Sequence, residues 1–361
     1  MSKTAVNKTL RCLYFGPIAK KGHPARGGFE AANRKNIDAL AARGVAVTET
    51  PDPVKPAGKF GALVYARMLF TPFKLFGAIG SRNAVAHFTP LYGSVLYATA
   101  WGPLMARLLG VKSVVDIRAG SFIDIYNRGG RFYRWLVRRV LNSASVITVE
   151  GRRYIAEIGA IAKKGKRIEY FPNLISCAVP VKREAPTDKV RIFYFGRITA
   201  NKGIDIIMDA FRRLGDGYEF ILAGPVAGDV DMSRLEAGGA QYIGMLTREQ
   251  LLEQMQRMHL FLFPSTHSGE GQSNALIEAM AAGLVPVASD NGFSRDVVAD
   301  CGIILPKGAD GAEYARAVQS IVEGGRLEEL SGRAMQHIAR CHNLDTEINK
   351  LVELYNSLLC R

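Results

Sequence analysis

The chain has 361 residues, of which 48% are hydrophobic, enough for two globular domains with ample core. Its five cysteines (Cys12, Cys177, Cys301, Cys341, Cys360) are scattered and odd in number. They lack metal-ligand spacing, which argues against a zinc module and fits a reducing cytosol. The net charge of +14 is uneven: residues 1–180 hold 28 Lys+Arg against 9 Asp+Glu, and the remainder is net acidic. Such asymmetry implies a polyanionic partner for the first half, an anionic lipid surface or a nucleic acid.

The N-terminus, MSKTAVNKTLR, lacks an apolar run, so no signal peptide is expected. Leu10 to Phe15 reads as a first strand ended by Gly16-Pro17. The loop KKGHPARGG leads into a helix over about Phe29 to Arg43, with Gly27-Gly28 at its start. A glycine pair there suits close approach of backbone to phosphate, or simply a strand-to-helix turn. Val45–Thr48, Ala84–Phe88, Ser113–Ile117 and Val146–Val149 are further strands. Alternation with helices predicts a parallel, doubly wound sheet.

Residues 60–80, FGALVYARMLFTPFKLFGAIG, form the most apolar run. Arg67, Pro72 and Lys74 argue against a transmembrane span. The run reads as a helix packed on the sheet or as an interfacial segment. Residues 128–141, RGGRFYRWLVRRVL, set Arg131, Arg134 and Arg138 on one helical face, with Tyr133, Trp135, Leu136, Val137 and Val140 as apolar and aromatic contacts. Arginine beside tryptophan suits a membrane interface, a nucleic acid or a solvated face. Lys163, Lys164, Lys166 and Arg167 extend the patch or solvate a turn. His87, on a strand, reads as structural, and Arg118, after a strand, as a phosphate fork or a partner of Asp116 or Asp124.

A linker without periodicity, from about Leu174 to Lys189, separates this half from a second. The second opens with the strand Val190–Phe195, then Gly196-Arg197-Ile198-Thr199-Ala200-Asn201-Lys202-Gly203, then a helix over Ile204–Leu214. Two cations on a glycine-flexed strand-to-helix turn suit a leaving pyrophosphate. Thr247 and Gln250 form a capping box, and Asp229-Val230-Asp231 lies in a glycine-flanked loop. The stretch from Phe261 to Asp290, FLFPSTHSGEGQSNALIEAMAAGLVPVASD, reads as strand, loop, helix, strand. Ser273 or Asn274 caps its helix, which ends near Gly283. The helix start near Gly271, Gln272, Ser273 and Asn274 suits an anion. Glu270 precedes it and Glu278 sits within it, about 10–12 Å apart, near the span of a diphosphate with a sugar at each end. The plain alternative is a capped surface helix with a glutamate at each end. Thr346–Leu359 is an amphipathic terminal helix.

The E-x7-E pattern within PS-x4-EG-x6-EAMAAG-x2-PV resembles the donor-site signature of the family 4 glycosyltransferases, which have the GT-B fold. Gly196-Arg197 with Lys202-Gly203 resembles that family's GR-x4-KG element. The resemblance is specific over residues 192–298. It implies two Rossmann-like α/β domains facing a cleft: residues 1–180 for acceptor and membrane, residues 181–345 for a nucleotide sugar. Residues 346–361 would then form a helix crossing back to the first domain.

The resemblance further implies a retaining sugar transfer from a UDP- or GDP-linked donor, without metal or other cofactor. Arg197 and Lys202 would neutralise the departing diphosphate, Glu270 hold the transferred sugar and Glu278 the ribose. Gly28, Gly196 and the backbone of Gly271, Gln272, Ser273 and Asn274 would complete the phosphate cradle. Family members often carry a histidine where Arg118 stands, and a Gly-Gly with glutamate where this chain has Asn291-Gly292 and Asp296. Arg131, Arg134, Trp135 and Arg138 would face an anionic membrane. The expected acceptor is a lipid-linked or surface-polysaccharide glycan, at the inner face of the cell membrane. The alternatives are a nucleotide-sugar epimerase of the same fold, and a non-catalytic basic protein binding membrane or nucleic acid.

Overall fold

The structure, a computed structural model, describes residues 9–23, 25, 27–51, 70–90, 92–176 and 189–360. Residues 60–69 of the apolar run and 177–188 of the expected linker lie outside the described residues. The chain divides into two units, Met1–Leu174 with Leu344–Arg361, and Ile175–Asn343.

The first unit is built on six parallel strands: β1 (Arg11–Gly16), β2 (Ala46–Pro51), β3 (Ala84–Phe88), β4 (Lys112–Ile117), β5 (Val146–Val149) and β6 (Ile168–Tyr170). Their order is β2-β1-β3-β4-β5-β6. Strands β3 and β5 are buried at every position, as expected for strands covered by helices on both faces. The Gly28–Ala42 helix joins β1 to β2, packing Ile37, Ala39 and Leu40 inward. The Leu344–Leu359 helix sets Ile348, Leu351, Leu354 and Leu358 into the same core, beside Cys12, Val85 and Val114. Its Tyr355 hydroxyl meets His87 Nδ1 at 2.6 Å, and the His87 ring stacks on Tyr14 at 4.5 Å. Burial lowers the His87 imidazole below its ordinary value. The thiol of Cys12 is pushed up by burial to about 12, despite a hydrogen bond to Tyr355 that opposes the shift. This histidine is therefore a core residue.

The second unit repeats the plan with β7 (Val190–Phe195), β8 (Tyr218–Ala223), β9 (Ala240–Tyr242), β10 (Leu260–Phe263), β11 (Val285–Ser289) and β12 (Ile303–Leu305). All pairs are parallel, in the order β12-β11-β10-β7-β8-β9. The chain runs outward from β7 through β8 to β9, then returns to place β10 on the other side of β7. The carboxyl ends of β7 and β10 therefore border the crevice where the strand order reverses, the usual ligand position in such sheets. Thr247 and Gln250 form the capping box that the sequence predicts. Asp231 caps the Met232–Ala237 helix and Asp229 accepts from the Ala200 N–H at 3.1 Å, so both carboxylates serve local structure.

Candidate active site

At the end of β7, Gly196 adopts a φ of +123°, which turns the chain out of the strand. Arg197 follows and is exposed, while its carbonyl accepts from the buried Tyr194 hydroxyl at 2.9 Å. Burial, and then the nearby Glu270 charge, push that phenol well above its ordinary value. Ala200–Lys202 forms a single 3-10 turn, with Thr199 Oγ1 donating to Asn201 Oδ1 at 2.6 Å. Gly203, at a φ of +77°, ends the turn and starts the Ile204–Leu214 helix. A side chain there would put its Cβ 2.4 Å from the Pro264 carbonyl oxygen, so only glycine lets this loop close on the end of β10.

The second loop leaves β10 at Pro264. Its Thr266 N–H donates to the Asn201 carbonyl at 2.9 Å, joining the two loops through backbone. On its other side, Asn291 Nδ2 donates to the His267 carbonyl at 2.9 Å and the Phe293 N–H to the Gly271 carbonyl at 3.3 Å. Gly292, with a φ of +60°, lies so close that a Cβ would meet the Glu270 carbonyl oxygen at 2.4 Å. The Asn291-Gly292 turn, which departs from the family pattern, thus holds the Glu270 loop in place.

Between these loops Lys202 Nζ reaches Glu270 Oε2 at 2.5 Å and stands 5.4 Å from the centre of the Phe263 ring. The two residues lie 68 positions apart in sequence. The Glu270 side chain is 9% exposed and the Lys202 side chain 20%, so the pair is largely withdrawn from water. Ser265, fully buried, donates from Oγ to the same Glu270 oxygen at 2.6 Å. Ser273, not Asn274, caps the following helix by accepting from the Leu276 N–H at 3.4 Å. Gln272 is buried and Gly271 half-buried just ahead of that cap. Glu278, half-buried, lies in the second turn of the Asn274–Ala281 helix. Arg197, Lys202, Glu270 and the helix start thus belong to loops at one sheet edge. The sequence assigns no site role to Asn201 or Asn291, and Ser265, though it is the serine of the PS-x4-EG pattern, directly after the strand-ending proline, receives none either.

The first unit is described by itself. Gly28 opens the 15-residue Gly28–Ala42 helix, and no side chain caps that end through Gly27. A Cβ on Gly27 would meet nothing within 4 Å, so its surroundings do not demand glycine. Arg118 turns inward: Nε donates to Asp116 Oδ2 at 2.5 Å, Nη1 to Asn173 Oδ1 at 2.6 Å, and the guanidinium lies 4.9 Å over Phe171. Burial works against the Asp116 charge, but Arg118 and His87 outweigh it and hold its carboxyl below its ordinary value. Of the two roles that the sequence left open for Arg118, the structure places it with Asp116.

On the Arg131–Ser143 helix, Tyr133, Leu136, Val137 and Val140 are buried, which removes them from the expected outer surface. Arg131, Arg134 and Arg138 are exposed, with Arg138 Nε donating to the Tyr126 hydroxyl at 2.9 Å. The outward rings are Phe132 and Trp135, stacked with centres 5.6 Å apart. Tyr97 extends the stack to Phe132 at 6.1 Å, and the Arg139 guanidinium lies 5.3 Å from the Trp135 ring.

Residues 189–324 match the family model described as glycosyl transferases group 1. That match lies within the second unit. The phosphatidyl-myo-inositol mannosyltransferase of Mycobacterium leprae (strain TN) is 25% identical over 177 residues, 46% of each chain. The match thus spans about half the length of that curated relative. HepE of Anabaena, solved in complex with UDP, superposes with a TM-score of 0.71 at 15% identity, covering 96% of this chain and 100% of that one. Sucrose-phosphate synthase from Thermosynechococcus elongatus gives 0.71 at 17% identity, covering 97% and 99%. A glycosyltransferase from Rickettsia africae ESF-5 gives 0.70 at 12% identity, covering 98% and 99%. These likenesses carry the fold alone, which is GT-B.

Proposed function

We propose that this chain moves a sugar from a nucleotide-sugar donor to an acceptor, with retention of anomeric configuration. The observation that carries the reading is the Lys202–Glu270 pair at the β7/β10 crevice, flanked by Arg197 and a helix start. A leaving diphosphate gains negative charge as the glycosidic bond breaks. Cations already in position at that point stabilise the transition state more than the ground state. Arg197 and Lys202 fill this role. Glu270 accepts hydrogen bonds from the transferred sugar's hydroxyls and orients its anomeric carbon, and Glu278 accepts from the ribose. Backbone N–H groups of the Asn274–Ala281 helix start, with Gly196, complete the phosphate cradle within the second unit. The donor is UDP- or GDP-linked; HepE, of the same fold, is known with UDP and with UDP-glucose. No metal or other cofactor takes part in this reading.

The acceptor in this reading is a lipid-linked or surface-polysaccharide glycan, reached from the cytoplasmic membrane face. Support comes from Arg131, Arg134, Arg138 and the exposed Trp135, beside the exposed rings of Phe132 and Tyr97. Guanidinium groups attract anionic headgroups, and flat amphipathic rings favour the interface. The mycobacterial relative is itself named for mannosyl transfer and for phosphatidyl-myo-inositol. No helix among the described residues is long and apolar enough to cross a membrane, so the contact proposed is peripheral.

The test is calorimetric titration of the full chain with UDP, GDP, UDP-glucose and GDP-mannose, with and without a chelator. Micromolar binding of one nucleotide, unaffected by chelator, is expected. Glu278→Ala should weaken it by about 1–3 kcal/mol through lost charged hydrogen bonds. Absence of binding to all four ligands sinks the reading.

A further inference from the structure

Glu270 is held by two donors that differ in kind, and both use the same oxygen. Lys202 Nζ and Ser265 Oγ each meet Oε2, at 2.5 and 2.6 Å, and neither meets Oε1. Lysine carries a flexible four-carbon stem, whereas serine has a single rotor. Ser265 is also fixed from both sides. Its carbonyl accepts from Ser289 Oγ on β11 at 2.7 Å, and its Oγ accepts from the His267 N–H at 3.4 Å. Thr266, His267, Ser268 and Gly269, which link it to Glu270, are all exposed. The Ser265 hydroxyl therefore ties the carboxylate directly to the end of β10, across a loop that solvent surrounds.

We infer that Ser265 is a positioning residue: its hydroxyl anchors Glu270 Oε2 so that Oε1 is presented to the donor sugar, and it keeps doing so when Lys202 turns to the diphosphate. The inference rests on the nucleotide-sugar reading above. Its physical content is a division of labour. A hydroxyl-to-carboxylate bond is charge-assisted and short, and inside a largely dry site it fixes one rotamer of the glutamate. Lys202 is then free to exchange its carboxylate contact for phosphate without leaving Glu270 unheld. The sugar half of the donor should feel the loss of Ser265, and the nucleotide half should not.

The experiment is a double-mutant cycle on the full chain, with Ser265→Ala, Glu270→Ala and the pair. Binding of UDP, GDP, UDP-glucose and GDP-mannose is measured by calorimetry, with thermal unfolding as a check on folding. In Ser265→Ala, affinity for the preferred sugar conjugate should fall about tenfold, while affinity for its free nucleotide stays within about twofold. In the Glu270→Ala background, adding Ser265→Ala should change sugar-conjugate affinity by less than about twofold, because the serine acts through the carboxylate. An equal loss for free nucleotide, or a tenfold loss that persists without Glu270, assigns Ser265 a merely structural role and overturns the inference. Unchanged sugar-conjugate binding in Ser265→Ala overturns it alone. Failure of the wild-type chain to bind any of the four ligands overturns it together with the donor reading.

Discussion

The two units place different chemistry at equivalent points of similar sheets. In the first, the strand order reverses between β1 and β3, and in the second between β7 and β10. At the first crevice the fully buried Asn33 donates from Nδ2 to the Pro17 carbonyl at 2.8 Å and to Thr89 Oγ1 at 2.9 Å. Its Oδ1 accepts from the Tyr14 hydroxyl at 3.1 Å, and Thr89 Oγ1 donates to the Phe15 carbonyl at 3.0 Å. These neutral groups satisfy one another and brace the strand ends. At the second crevice stand a paired cation and carboxylate, which in the proposed reading trade each other for the donor. Topology supplies the crevice in both units. On that reading, polar groups closed on themselves brace the first crevice, and exchangeable ones make the second the donor site.

Three variants test this contrast. Lys202→Ala should have the largest effect, lowering turnover about 10²–10³-fold by removing a preorganised cation from the leaving diphosphate. A steady-state assay with the donor identified by titration reads it, and near-normal turnover would remove Lys202 from the chemistry. Asn33→Ala should destabilise the chain by about 1–3 kcal/mol, because Tyr14 and Thr89 lose their buried partner. Free-nucleotide affinity should stay unchanged, as denaturant unfolding beside calorimetry would show. A loss of affinity without a loss of stability would mean that the first crevice also serves the ligand. Smallest is the paired change Phe132→Ser with Trp135→Ser, which should weaken partition onto anionic phosphatidylglycerol vesicles about tenfold through lost apolar contact. Nucleotide affinity should not move; undiminished vesicle binding would return these rings to the solvent.

The same contrast marks what the sequence made legible. Period and punctuation were enough for most of the strands and for the Val190–Phe195 and Ile204–Leu214 elements, because buried parallel strands are short apolar runs bounded by glycine and proline. The Lys202 and Glu270 loops were legible through motif and placement at strand ends. Their pairing was not, since a bond between residues 68 positions apart depends on which strands become neighbours. Nor was the inward turn of Arg118 decided, because its side chain had Asp116 on one side and Asp124 on the other as candidates. Helical periodicity placed the Arg131–Ser143 arginines outward, but it did not separate the exposed Trp135 from the buried Tyr133 two residues earlier. His87 had no visible partner in sequence because Tyr355 comes from the last helix of the chain.

Gly203 has a consequence for anyone who would re-engineer this protein. Its missing side chain lets the Lys202 loop rest on the Pro264 carbonyl, and the Asn201–Thr266 backbone bond locks that contact. The spacing of cation and carboxylate is thereby set by main chain. The exposed Ser268 sits between two anchored neighbours, Ser265 and Glu270, whereas the Thr266 hydroxyl adds a second bond to the Asn201 carbonyl at 3.3 Å. A saturation library at Ser268 can vary the rim of the crevice while its machinery stays in register.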